Sequence, residues 1–183
     1  MEKKTGRTYA GFGIILKIDK EGKMKALVVM EDPNKKGGGL RWEDFFIKFP
    51  GGTLDMTLSS DPTRLAGIKV MSEVCGITFE RLSDQPFFSI ETDDHIANFY
   101  LAKLDEGSPR PCKTLRSADM VAEFSLRVLA QKKKFLNKHL LAVEELFHCL
   151  DLIRSGSTEV PKHALPLKKY YEQTISRLHQ VNE

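Results

Sequence analysis

One stretch of this 183-residue chain combines paired glycines with a carboxylate in a pattern suited to phosphate or metal chemistry. It runs from Phe49 to Ile77, FPGGTLDMTLSSDPTRLAGIKVMSEVCGI. A β-like run ends in Pro50-Gly51-Gly52, a Ser/Thr/Asp loop follows, and a helical segment carries the lone carboxylate Glu73. Glycines let a backbone approach a phosphate or a metal closely. A carboxylate supplies the oxygen that a hard cation requires. Plainer readings stand beside these: a tight turn for Gly51-Gly52, and for Glu73 either a surface position on an amphipathic helix or a buried, hydrogen-bonded acid.

Elements must position this segment. Asp61-Pro62 is a helix start, with Asp able to cap the N-terminus and Pro preformed for the first helical position. Leu65, Ile68, Val70, Met71 and Val74 fit a 3.6-residue period, and Gly76 is placed to end the helix. The pattern predicts a helix from Pro62 to Cys75. Before it, Tyr9–Ile18 and Lys25–Met30 flank the polar turn Lys20–Lys23, a hairpin signal. Trp42–Phe49 is a third apolar run, preceded by a loop with glycines at 37 to 39 that do not form a P-loop. After it, Ile77–Phe79, Pro86–Glu91 and His95–Leu104 read as strands, the last two as a second hairpin. Asp105–Lys113 reads as a Pro/Gly loop, Met120–Leu129 as a strand, and Phe135–Ile153 and Leu167–Leu178 as helices. Strands on both sides of one central helix predict an α+β fold with a mixed sheet packed between helices, an α/β/α sandwich. Residues 1–154 read as one domain, with 155–183 a linker and an extra C-terminal helix packed on it.

At this point the sequence resembles the Nudix family, whose signature is G-x5-E-x7-R-E-U-x-E-E-x-G-U with U aliphatic. Gly52 opens the match after Phe49-Pro50-Gly51, and Lys69 to Ile77, KVMSEVCGI, aligns with its end. Counting back places Asp61 at the first glutamate, in a loop three residues longer than the family spacing. The resemblance implies the Nudix fold and Mg²⁺- or Mn²⁺-dependent hydrolysis of nucleoside diphosphate derivatives. In the family, three carboxylates at i, i+3 and i+4 share one helix face. Here those positions hold Val70, Glu73 and Val74, and the orienting arginine is Lys69, which keeps charge but loses the bidentate fork.

Two functions follow from the resemblance. One is a weakened or altered pyrophosphohydrolase with Glu73 and Glu123 catalytic, Glu73 and Asp61 holding the metal, and Gly51, Gly52 and Lys69 binding substrate. The other is a catalytically inactive Nudix-fold module that binds a nucleotide-like ligand or a protein partner, with no cofactor. A homodimer through the C-terminal helices is a further option.

Composition narrows the rest. A formal net charge of +3 with interleaved acids and bases argues against nucleic acid as partner,. Lys132-Lys133-Lys134 reads as the solvated start of a helix. Cys75, Cys112 and Cys149 form no CxxC pair, and their odd number suggests no disulfide framework, so a reducing cytoplasm is expected,. No apolar run approaches membrane-spanning length. Glu91, Asp93, Asp94 and His95 read as a solvated hairpin turn, His139 and His148 as surface or core-edge residues, and Trp42 as core.

Overall fold

The computed structural model describes residues 7–31, 46–112, 120–125, 135 and 137–181. The glycines at 37 to 39, Trp42 and the lysines at 132 to 134 lie outside them.

Alternation along the strands builds a two-faced sheet. The described strands are β1 (Thr8–Ile18), β2 (Met24–Glu31), β3 (Phe46–Lys48), β4 (Gly51–Thr53), β5 (Val74–Arg81), β6 (Phe88–Glu91), β7 (His95–Pro111) and β8 (Met120–Ser125). They form one mixed sheet. β1 pairs in parallel with β7 and antiparallel with β2 and β4. β2 also pairs with β3 and β8, and β7 with β5 and β6. The first hairpin turns at Gly22, with the Asp19 carboxylate accepting from the backbone N–H groups of Glu21 and Lys23. The second has Phe88 opposite Phe99 and Ile90 opposite Ala97.

Successive side chains point to opposite faces. Ala10, Ile14, Leu16, Ala26, Val28, Met30, Phe99 and Leu101 belong to a cluster completed by α2 (Asn137–Arg154) through Val143, Leu146 and Leu150. Ile15, Leu27, Val29 and Ala102 belong to a second cluster, closed by Val70 of α1 (Pro62–Glu73) and by Val74. The sheet therefore lies between helices, as the sequence pattern predicts. α3 (Leu165–Val181) follows a short 3-10 turn, Lys162–Ala164, and Ala164 and Leu167 complete the α2-side core. No described helix is long and apolar enough to cross a membrane.

Three features differ from the sequence expectation. Helix α1 ends at Glu73, and Val74 is already extended, its N–H still bonded to the Val70 carbonyl. Gly76 is therefore not the helix stop. It adopts φ 77° within β5, where an added Cβ would meet the Ser108 carbonyl oxygen at 2.8 Å. Residues 105 to 111 are strand rather than loop, because β5 runs long enough to pair with them across a register shift beside Gly76 and Gly107. Finally, Cys75 and Cys112 form a disulfide, with Cα atoms 5.3 Å apart. The pairing joins the start of β5 to the end of β7, which only the extended β7 brings together.

Candidate functional site

The turn at Gly51 and the end of α1 meet where α1 packs closely on the glycines of β1. An added Cβ on Gly11 would lie 2.5 Å from Ala66 Cβ, and one on Gly13 would lie 3.0 Å from Val70 Cγ2. Gly51 has φ 129°, and a Cβ there would fall 2.2 Å from the Gly11 carbonyl oxygen. At Gly51 the neighbour is backbone, so no side chain fits there; at Gly11 and Gly13 it is the side chains of α1 that press close.

Glu73 lies where these elements converge and is 8% exposed. Its Oε2 accepts the Gly51 N–H at 2.7 Å, and its Oε1 lies 2.8 Å from Lys48 Nζ. Lys48, also 8% exposed, reaches Glu31 Oε1 at 2.9 Å and donates to the Gly51 carbonyl at 3.0 Å. An ammonium has three donors, and three oxygens surround this one. Burial alone would lower the Lys48 pKa. The charge and hydrogen bond of Glu73, with those of Glu31, outweigh it and hold the group above the usual lysine range.

The other predicted residues divide. Val70 and Val74 are 2% and 0% exposed within the α1-side cluster. Lys69 is half-buried, and its Cε would lie 3.2 Å from a Cβ on Gly52, so its stem covers the glycine turn. Asp61 caps α1, accepting from the N–H groups of Thr63 and Arg64. It does not meet Glu73: the twelve-residue helix that ends at Glu73 places the two about 18 Å apart,. One ion cannot use both carboxylates. Glu123 lies on β8 in register with Leu27, a residue of the cluster around Val70 and Val74.

Sequence reasoning missed Lys48 and Glu31. Lys48 is the one visible signal, a lysine inside the apolar run before Pro50. It also misjudged His139, which is 3% exposed. The Phe49 N–H donates to its Nδ1 at 3.0 Å, and the rings of Phe12, Phe49 and Phe99 surround it. Burial and the charge of Lys48 push its pKa down to about 3. His148 is exposed, as expected.

No family model and no curated relative matches the sequence. Solved structures do. A structure from an analysis of MutT from Aliivibrio salmonicida and Vibrio cholerae is 17% identical, with a TM-score of 0.52, covering 78% of this chain and 98% of that one. A NUDIX-family hydrolase from Clostridium perfringens is 16% identical, with a TM-score of 0.54, covering 79% and 99%. The NUDIX domain of Shewanella oneidensis NrtR, solved with ADP-ribose, is 14% identical, with a TM-score of 0.55, covering 82% and 94%. This chain has the Nudix fold.

The Nudix helix allows a direct test of whether its donors suit Mg²⁺ or Mn²⁺. Such ions need oxygen ligands. Of the three positions matched to the family's carboxylates, Val70 near the end of α1 and Val74 at the start of β5 present valine to a buried apolar cluster, and Glu73 presents a carboxylate whose two oxygens already hold an ammonium and an amide. The donor set on this helix does not fit the ion.

Proposed function

We propose that this chain is a Nudix-fold binding module for a nucleoside diphosphate derivative, with α1 serving to fix the glycine turn rather than to hold metal. The observation that carries this reading is the Lys48 ammonium among Glu73, Glu31 and the Gly51 carbonyl. A tethered cation neutralises the acids that a divalent ion would otherwise meet. Lys69 over Gly52 supplies positive charge beside a backbone that a diphosphate can approach closely,. The solved likeness with bound ADP-ribose supports the ligand class.

A second reading keeps hydrolysis. It would draw on Glu123, because β8 carries it in register with Leu27, beside the cluster that contains Val70 and Val74. Calorimetry with ADP-ribose, a dinucleoside polyphosphate and a nucleoside triphosphate, in EDTA and in Mn²⁺, separates the two. Binding in EDTA, weakened by Lys69→Ala and without turnover, is the expected result. Metal-dependent product release abolished by Glu73→Gln or Glu123→Gln would establish the hydrolase instead. Absence of binding to all three ligands under both conditions would overturn the proposal.

A further inference from the structure

A second group of chemistry-bearing side chains lies on the other face of the sheet, away from α1. Glu145 and Cys149 stand one turn apart on α2, and His163 comes to them from the 3-10 turn before α3. The Cys149 sulfur lies 3.4 Å from Glu145 Oε1 and 3.8 Å from His163 Nε2, and those two atoms are 2.8 Å apart. Cys149 is fully buried and is a free cysteine, so the disulfide does not consume it. The Phe87 ring meets the His163 imidazole edge-on at 5.3 Å and holds its plane.

We propose that Glu145, Cys149 and His163 form a binding site for one borderline-soft divalent cation of the zinc class, which clamps the start of α3 to α2. Tetrahedral zinc, with bonds of about 2.3 Å to sulfur and about 2.0–2.1 Å to nitrogen and oxygen, sets its donors roughly 3.3–3.6 Å apart. Both sulfur edges of the observed triangle are close to that already. Only the imidazole–carboxylate edge must open, by about 0.5 Å. Thiolate and imidazole donors select Zn²⁺ over Mg²⁺ or Ca²⁺. On binding, the ion forms bonds to the sulfur and to His163 Nε2; the thiol proton leaves to solvent, and the hydrogen that Nε2 shares with Glu145 is given up as the neutral imidazole takes its Nδ1–H tautomer,. The side chains of Glu145 and His163 are 26% and 37% exposed, which leaves a solvent side for water as the fourth ligand. The site is separate from the Glu73 region, and its test does not depend on nucleotide binding.

The experiment uses the full chain, stripped with chelator and kept without reductant so that Cys75 and Cys112 stay paired. Zn²⁺ is titrated by equilibrium dialysis and Co²⁺ by absorbance. The expected result is one equivalent of Zn²⁺, a thiolate-to-cobalt charge-transfer band, and a rise in Tm on adding zinc. Cys149→Ser should abolish the band. Because that residue is buried and its variant could fail to fold, His163→Gln and Glu145→Gln are measured in parallel. Each should weaken zinc binding at least ~100-fold with the far-UV circular dichroism unchanged. No charge-transfer band in the native protein, or zinc binding unaltered by His163→Gln and Glu145→Gln, would overturn the proposal.

Discussion

Lys48 Nζ lies 2.8 Å from Glu73 Oε1, a contact between residues 25 positions apart, and both side chains are nearly withdrawn from solvent. Removing Lys48 leaves Glu73 a buried charge without that cation, and such a charge keeps its desolvation cost without its partner's attraction,.

Lys48→Met should therefore lower stability by about 3–5 kcal/mol, read as a fall in the urea midpoint. Glu73→Gln should cost less. A neutral amide still offers an oxygen to the Gly51 N–H, and Lys48 retains Glu31. Equal losses from the two variants would show that Glu31 does not compensate Lys48 once Glu73 is neutral.

Stability should fall at both ends of the pH scale, for different residues. His139 has a folded pKa of about 3, below the unfolded value near 6.5, so the unfolded chain binds the extra proton,. Stability is full above about 6.5 and is lost as pH falls toward 3, by roughly 4–5 kcal/mol at the end of that window. His139→Gln keeps an acceptor for the Phe49 N–H and should flatten this limb. Lys48 has a raised folded pKa, so its contribution is full below the unfolded value of about 10.4 and is lost as pH rises through the higher folded value,. Urea midpoints from pH 3 to pH 12 read both limbs.

Two glycines should respond oppositely to alanine. At Gly67 an added Cβ meets nothing within 4 Å, so Gly67→Ala should stabilise α1 by about 1 kcal/mol through helix propensity,. At Gly11 the Cβ would lie 2.5 Å from Ala66 Cβ, and Gly11→Ala should cost about 1–3 kcal/mol as α1 is pushed off the sheet,. Thermal unfolding of both variants checks the contrast.

Val74→Glu replaces a side chain at 0% exposure in a dry cluster. It should destabilise the protein by at least about 3 kcal/mol, and Mn²⁺ should not restore Tm in Val74→Glu or in Val70→Glu with Val74→Glu. Recovery by Mn²⁺ would mean that the Val70–Val74 region opens to an ion and would reinstate the weakened-pyrophosphohydrolase reading.

Thiol counting in denaturant should find one reactive cysteine, Cys149, before reduction and three after it. Closing a 37-residue separation restricts the unfolded chain, so reduction should cost up to about 4 kcal/mol,. Three reactive thiols in unreduced protein would contradict the pairing.

Much of the architecture was legible in the sequence because alternation and helical period are local signals. The hairpin around Gly22, the start of α1 at Asp61-Pro62 and the long helix over 137–154 each depend on neighbours in the chain. The end of α1 was less legible. A glycine after a helical run suggests a stop, but β7 captures Val74 and Cys75 into β5 and moves the boundary back. The resemblance marked Glu73 and the valines beside it. It could not show where the carboxylate oxygens point, since Lys48, Glu31 and Gly51 come from three other strands.

The order of residues determined a Nudix-type frame, with the glycine turn, the capped helix and the two valines where carboxylates would stand. Only tertiary structure decided that Glu73 faces an ammonium, that Asp61 lies at the far end of the same helix, that His139 is core, and that Glu145, Cys149 and His163 converge. Helical and strand periods act over a few residues, whereas burial, ion pairing and ligand convergence depend on which strands and helices become neighbours. For Lys48 and Glu73 that neighbourhood is set by the glycines of β1 and β4, which let α1 settle close enough for two buried charges to meet.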